Sequence, residues 1–542
     1  MKTGMKMTKV NLQNQLDEKT KELILKMEEE LEAKDKEIEN LKNELAYLKN
    51  QVLNKNRKIF GSSSEQANTI QVSFFDEAEK DSNLKAAEPT IEEITYKRTK
   101  PTSNTGKKDN LANLEKIVIE HKLDEDQQSC RDCSSDLVVI GKKSKEVLKY
   151  IPAKLYVEEH LTYSYACRSC EENNDKANII TTKAPKTLLH KSMASNELLS
   201  HVINLKYQHA LPLNRQESYF KMMGANLSRQ TLANWVIGAA HELDPIYQLM
   251  KEELLKRNYI QADETVVKVL DDRGKESNKQ KYMWLYKCPD KDQPIIIYDY
   301  QKTRSGSCPK GFLSGFSKYI QTDGYAGYNK VENVKRLYCL AHIRRKFHEI
   351  IVNLDEEALK SSRALIGFNY CAQLYKIEKD LKEQHSGKED FYERRYKKRL
   401  DASKSIIEEF IDYVDKEIKD AVPKSALGKA LAYTKPLLPS FLKVFLEDGS
   451  LEIDNNSAER SIRPFVVGRS NWLFSASTKG AESSALIYSI TETAKNNNLV
   501  VEKYLLYLMN NFSNIDPQDK GSLLKLLPFS KEVPESLKVQ AK

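Results

Sequence analysis

Residues 259–270 read YIQADETVVKVL, followed by KYMWLYKC at 281–288 and PIIIYDYQ at 294–301. Each run is rich in β-branched and aromatic residues and is bounded by polar sequence, so the three predict consecutive strands of an antiparallel meander. A short helix is expected around GFLSGF (311–316) and a fourth strand in KYIQTDG (318–324). KRLYCLAH (335–342) then leads into the basic helix IRRKFHEII (343–351).

The order β-β-β-α-β, followed by another strand and helices, is that of the ribonuclease H-like fold, an α+β or α/β arrangement. Within it Asp263 falls on the first strand and Asp323 at the end of the fourth. Residues 351–440 are helical in pattern and rich in Lys and Glu, which reads as an insertion. The fold resumes at IDNNSAERSIRP (453–464), where Asp454 or Asn455 can cap a helix and Pro464 marks where it should stop or bend. Asn455, Asn456, Glu459 and Arg463 then share a helical face. Three carboxylates, Asp263, Asp323 and Glu459, suit hard divalent cations such as Mg2+ or Mn2+. Two such ions can activate an attacking oxygen and stabilise a leaving one at phosphorus. Taken singly, each acid has a plainer reading: an edge-strand aspartate, a turn before Gly324, and a partner for Arg463.

Upstream, Cys130-x-x-Cys133 and Cys167-x-x-Cys170 offer two pairs of thiolates, the ligand set of a structural Zn2+ site with no open position. The β-rich stretch VLKYIPAKLYVEEHLTYSYA between them can fold as a strand excursion, giving a zinc ribbon. The other four of the eight cysteines, Cys288, Cys308, Cys339 and Cys371, read as ordinary thiols. LNRQESYFKMMGANLSRQTLANWVIGAAHEL (213–243) reads as helix, turn at Gly224–Leu227, and a helix capped by Ser228, similar to a helix-turn-helix. Gln230, Thr231 and Asn234 could face a DNA groove while Leu232, Trp235 and Val236 pack inward. A plain helical hairpin would show the same pattern.

Heptads of Ile24, Leu31, Ile38, Leu45 and Val52, with Met27, Leu41 and Leu48 in the second register, predict a coiled coil broken by Lys34. A lone amphipathic helix is the alternative. From Gly61 to about Asn110 the chain turns polar and reads as a linker. At 542 residues three or four units are expected at about 150 residues each. No apolar run approaches the roughly 18 residues of a membrane span, and the amino terminus lacks a signal-peptide core, so a cytoplasmic, nucleoid-associated bacterial protein with no membrane is expected. The net charge of +8 says little about partners. Three basic clusters say more: Arg344, Arg345 and Lys346; Arg394, Arg395, Lys397, Lys398 and Arg399; Arg460, Arg463 and Arg469. Solvated helix faces would account for any one of them.

QADET, YDYQKTRSG, QTDGYAGYN, AHIRRKF, DNNSAERSIRP, GRSNWLFSAS and GAESSALIYSITETAK resemble the bacterial transposases of the insertion sequence 66 family. KIFGSSSEQ after the zipper-like helix, the four cysteines and LPLNRQES follow in the family's order. The resemblance implies an Asp/Asp/Glu triad at Asp263, Asp323 and Glu459. It also implies element ends with terminal inverted repeats and target DNA as partners, and strand cleavage followed by strand transfer. Where the family commonly has a basic residue after the arginine of GR-x-NW, this chain has Ser470, so a DNA contact made there in relatives would be weakened or replaced, with Lys479 a candidate replacement. His342, Arg344, Arg345, Arg460, Arg463 and Arg469 are candidates to contact DNA. A homo-oligomer is expected, with helper proteins of the same element as further partners.

The expected organisation is a coiled-coil arm (1–60), a polar linker (61–115), a four-cysteine zinc domain (116–185) and a helix-turn-helix-like region (186–250). The catalytic domain follows in two parts (251–350 and 441–480) around the insertion (351–440), with a helical carboxy-terminal segment (481–542). A non-catalytic DNA-binding regulator or assembly factor could use the same front half, and a cellular nuclease of the ribonuclease H type the same catalytic fold. The zinc reading has a direct check. The purified protein should carry about one zinc per chain, and Cys130→Ser should lower both the metal content and the melting temperature; no metal and an unchanged melting temperature would overturn it.

Overall fold

A computed structural model describes residues 153–167, 178–270, 280–290, 292–352 and 354–540, together with isolated positions between 26 and 34 and at 117–118. The heptads and linker therefore lie almost wholly outside the described residues, as do Cys130, Cys133 and Cys170. Of the cysteine region, β1 (Ser164–Cys167) pairs antiparallel with β2 (Asn178–Thr181), so the second C-x-x-C begins at a strand end. The strand pairing runs across that knuckle; residues 153–163 of the interval between the knuckles carry no strand.

The predicted meander is present as β3 (Tyr259–Val267), β4 (Lys281–Cys288) and β5 (Ile295–Gln301), all antiparallel. β6 (Tyr319–Thr322) then pairs parallel with β3, and β7 (Lys335–Tyr338) pairs parallel with β6, giving the order β5-β4-β3-β6-β7.

Between β2 and β3, among the described residues, lie four helices: α1 (Asn196–Tyr207), α2 (Leu213–Met222), α3 (Arg229–Glu242) and α4 (Asp244–Leu255). The short helix α5 (Ser307–Phe312) links β5 to β6, and its Phe312 ring stacks 3.7 Å from Tyr286 of β4. After β7 come α6 (Leu340–Ile351), α7 (Glu356–Ser361), α8 (Arg363–His385), α9 (Phe391–Lys398), α10 (Lys404–Asp420), α11 (Ala426–Thr434) and α12 (Leu438–Phe445). These are the helical insertion. Their common core of Phe347, Leu374, Ile407, Phe410, Leu431 and Phe441 continues into Leu337 of β7, so the insertion is seated on the sheet.

Helix α13 (Asn456–Trp472) crosses β3 and β4, and α14 (Thr478–Asn496) packs along β5. Two expectations change here. Pro464 neither stops nor ends α13, which runs eight residues beyond it. The boundary drawn at residue 480 falls inside α14, a helix buried from Ala481 to Ala494 save for one exposed position, Glu482. The reason is the edge of the sheet. β5 is the outermost strand, and its free N–H groups at Ile296 and Tyr298 donate to Thr493 Oγ1 (3.0 Å) and Ser489 Oγ (2.8 Å) of α14, so side chains take the place of a further strand. Gly468 permits the packing of α13 on α14, since a Cβ there would lie 2.3 Å from the Tyr488 hydroxyl. α15 (Val501–Phe512) and α16 (Lys520–Leu526) follow, and α15 returns to α1 through Glu502, which accepts from Asn204 Nδ2 and pairs with His201 Nδ1, both at 2.8 Å. α1, α3 and α4 thus pack on α14, which itself lies along β5.

The second basic cluster divides. Arg395 and Arg399 are fully buried and share Glu378, with Nε–carboxylate distances of 2.6 and 2.8 Å. Arg395 also reaches both Glu452 oxygens at 3.2 Å, and Arg399 donates to the carbonyls of Asp448 and Leu451. Neither arginine faces solvent, because the turn that leads into α13 needs its carbonyls satisfied.

Beside Arg395 and Lys382, the Glu452 carboxyl is held down to about 2 against a usual 4.5; burial acts in the opposite direction. A depressed carboxylate stabilises the fold above its unfolded value and loses that contribution as pH falls. The shift corresponds to roughly 3 kcal/mol. Glu452→Gln should cost stability of that order at pH 7 and flatten the loss of stability between pH 4.5 and 2, as read by urea unfolding; an unchanged pH profile would contradict it.

Candidate functional site

The site forms where the parallel ladder of β3 and β6 ends. That ladder pairs Tyr259 with Tyr319, Ile260 with Ile320 and Gln261 with Gln321. Two residues beyond its last rung, Asp263 continues β3 on the face of Gln261, by the period of two, and Asp323 is the first residue after β6.

The two glutamines are fully buried. Gln261 Nε2 donates to Gln321 Oε1 at 2.8 Å, and the Tyr259 hydroxyl donates to that same oxygen. The pair then grips the turn before α13: Gln261 Nε2 donates to the Asp454 carbonyl (3.2 Å) and Gln321 Nε2 to the Glu452 carbonyl (2.9 Å). Next along, Asn455 Nδ2 donates to the Ala262 carbonyl at 2.9 Å and the Asn455 N–H to Cys339 Sγ at 3.2 Å. Asn455 is therefore the residue at the start of α13, but its side chain does not cap; Asp454 Oδ1 takes the Asn456 N–H instead, at 3.1 Å. Glu459 follows one turn later, its N–H on the Asn455 carbonyl (3.1 Å).

Burial, then the charges of Glu264, Glu459 and Asp323, push the Asp263 carboxyl up to about 8, against one bond from the Glu264 N–H (2.9 Å). Glu459 Oε1 is buried without a hydrogen-bond partner; His342 Nε2 lies 3.8 Å from it and Arg345 Nη2 3.8 Å from Oε2. An orphan carboxylate oxygen near a carboxyl that neighbouring acids raise fits a bound cation.

The opposite face holds the supports. Glu264 pairs across the sheet with Trp284, and its carboxylate accepts from Arg304 Nε (2.8 Å), Arg304 Nη2 (2.6 Å) and the Tyr328 hydroxyl (2.7 Å). It is a buried, fully engaged acid, so Glu264→Gln is a structural change in its own right. The Asp323 turn is fixed by Arg336, which donates to Thr322 Oγ1 and to the carbonyls of Asp323 and Tyr325, each at 2.8 Å. Gly324 is required there, because a Cβ would lie 2.6 Å from the Tyr433 hydroxyl of α11.

The expected DNA-contact residues separate by exposure. Arg345, Arg460 and Arg463 are exposed, and His342 stands beside Glu459, where burial lowers its ring below the usual histidine value. Arg344 is turned inward, its guanidinium over the Phe368 ring at 4.6 Å, and Arg469 donates to Thr265 Oγ1 (3.1 Å) and the Val266 carbonyl. Both are spent on packing: the first against α8, the second against the end of β3. Ser470 Oγ bonds back to the Val466 carbonyl, and Lys479 is exposed.

Helix, turn and helix are present in α2 and α3, with Gly224 at φ +90° and Ser228 capping through the Thr231 N–H. Leu232, Trp235 and Val236 are buried, whereas Gln230 and Asn234 are exposed and bonded to one another (2.9 Å). The Thr231 hydroxyl is taken up by Ser228 at 2.9 Å.

Gln261, Gln321 and Arg336 carry no site role in the sequence reading, and Asn455 enters it only as a cap and a face-mate of Glu459. One signal was there: the same Gln-x-Asp spacing in QADET and QTDG. Replacing Gln321 with Leu should strand the buried Glu452 carbonyl at a cost of about 1–3 kcal/mol. The Gln261→Leu/Gln321→Leu pair should be non-additive in urea unfolding, since the two side chains share one network; strictly additive losses would show that they act separately.

Comparison with known proteins agrees with this organisation. Residues 191–483 match the model described as "Transposase IS66 family", and residues 127–171 match the zinc-finger binding domain of transposase IS66. Residues 47–119 match "Transposase C of IS166 homeodomain", a match lying mostly on the stretch read above as a linker. Proteins of Sinorhizobium fredii (strain NBRC 101917 / NGR234) are similar over much of their length. The uncharacterized protein y4jD is 28% identical over 387 residues, covering 69% of this chain and 72% of its own. The uncharacterized protein y4hP is 26% identical over 436 residues, covering 77% and 74%. No solved structure matches. A match over more than half the chain, enclosing the sheet, the three carboxylates and the insertion, shows that the protein belongs to the IS66 family of transposases.

Proposed function

We propose that this chain is a DNA transposase whose Asp263, Asp323 and Glu459 form the cutting and joining site of a ribonuclease H-like domain. The observation that carries the reading is that Asp263 on β3 and Asp323 just after β6 lie two residues beyond the last rung of one parallel ladder, with Glu459 and Asp323 both near enough to raise the Asp263 carboxyl. The strand order and directions support the fold assignment. Crevices at the carboxyl ends of parallel strands are where open α/β sheets place their chemistry.

These three acids would hold Mg2+ or Mn2+. Bound there, the metal supplies charge neutralisation at a phosphodiester and activation of the attacking oxygen. The chain's own residues do the rest. Gln261, Gln321 and Asn455 hold α13 at a fixed height over β3, so that Glu459 meets the two aspartates without a large rearrangement. Arg345, Arg460 and Arg463 present exposed guanidinium groups beside Glu459 that can bind backbone phosphates. Hydrolysis of one strand would free a 3′ hydroxyl, which then attacks a target phosphate.

Family membership makes DNA the partner. Gln230 and Asn234 on α3 would read element ends, and Cys130, Cys133, Cys167 and Cys170 would hold the structural zinc of the matched zinc-finger domain. The amino-terminal heptads would join copies of the chain.

Changing Asp263 or Asp323 to Asn, or Glu459 to Gln, should lower strand cleavage and joining by several orders of magnitude, with double changes adding little. DNA binding in a gel-shift assay should persist. Robust joining by Asp263→Asn, in Mg2+ or Mn2+ on DNA carrying the element's ends, would sink the assignment.

A further inference from the structure

Cys339, His342 and Glu459 bring a thiol sulfur, an imidazole nitrogen and a carboxylate oxygen within 4.8 Å of one another. The sequence reading treated Cys339 as an ordinary thiol and His342 as a DNA contact. Their placement is set by the fold. Cys339 is the residue on which α6 starts and His342 lies three positions on, so both side chains rise from one face of the first turn. Glu459 reaches them from α13, whose start is tied to Cys339 through the Asn455 N–H.

Three features point to a ligand. Cys339 is a free and almost wholly buried thiol, at 1% exposure, whose Sγ is held in place by the Asn455 N–H. Glu459 Oε1, facing His342 Nε2, is buried and has no hydrogen-bond partner. The 3.8 Å between those two atoms is too long for a hydrogen bond and close to the separation of two ligands on one small cation. One sulfur, one nitrogen and one carboxylate oxygen form a borderline-soft set, matched to Zn2+ rather than to the all-oxygen preference of Mg2+.

We propose that Cys339, His342 and Glu459 form a second zinc-class site, separate from the four-cysteine domain, that withdraws Glu459 from the carboxylate triad when it is filled. Binding releases the Cys339 thiol proton to solvent and leaves the fourth position to water. With three protein ligands and one of them shared, the site fills at added zinc and empties on chelation, whereas the four-cysteine domain keeps its metal. Free zinc then acts as an inhibitor of joining. That inhibitory consequence rests on Glu459 belonging to the triad; the binding itself does not.

The test uses the full-length chain as purified, with zinc in its four-cysteine domain, and one equivalent of added Co2+. A thiolate-to-cobalt absorption band is expected in the near ultraviolet within minutes. It should vanish in Cys339→Ser and weaken or shift in His342→Gln, while Cys308→Ser and Asp263→Asn retain it. No band, or a band that survives Cys339→Ser, overturns the site. Should Cys339→Ser prove misfolded by circular dichroism, His342→Gln carries the same decision. Joining in Mg2+ is then titrated with Zn2+, each protein normalised to its own zinc-free rate. Cys339→Ser should need about tenfold more zinc for half-inhibition; equal sensitivity removes the inhibitory role. Joining by Asp263→Asn would reject the triad and leave the cobalt result standing.

Discussion

A single hydrogen-bonded layer beneath the carboxylates holds the rest in place. Gln261 and Gln321 bond to each other across the parallel ladder and spend their remaining N–H groups on two carbonyls of the turn before α13. A buried amide pair of this kind tolerates little displacement, because moving the turn strands carbonyls in a medium where an unmet acceptor is costly. The aspartates stand two residues above the glutamines and Glu459 one turn above Asn455. The spacing of the acids is thus inherited from the layer below them.

The site also shows how like charges are kept close. On one face burial, then the charges of Glu264, Glu459 and Asp323, raise the Asp263 carboxyl to about 8. On the other face the Glu264 carboxylate is bound by Arg304 and Tyr328, and Arg336 pins the Asp323 turn. Asp263 is thus disfavoured as an anion while its surroundings are held from behind, the arrangement expected where a cation supplies the missing counter-charge. Cys339 and His342 border the same carboxylate, so hard and soft ligands meet at Glu459.

The helices outside the sheet have definite tasks. The insertion delivers Arg395 and Arg399, which are held by Glu378 and donate to the carbonyls of Asp448, Gly449 and Leu451, and Tyr375, whose hydroxyl donates to Asp454 at 2.9 Å. The carboxy-terminal α14 seals the β5 edge through Ser489 and Thr493. Both tasks serve backbone groups that would otherwise be buried unsatisfied or open to another strand.

The sequence by itself determined the strands, their order, the helical insertion, the helix–turn–helix pattern and which acids deserved attention. Those properties follow from local periodicity, turn residues and recurring motifs, which are legible one segment at a time. It also carried, unread, the Gln-x-Asp spacing shared by QADET and QTDG. Only the tertiary structure decided the rest. The parallel ladder of β3 and β6 brings Asp263 near Asp323, and long-range packing buries Arg395 and Arg399, turns Arg344 onto Phe368 and carries α13 through Pro464. It likewise makes α14 part of the sheet's edge and sets Cys339 and His342 against Glu459. Each of these depends on partners dozens to hundreds of residues away, and no local pattern encodes which buried donor will meet which carbonyl.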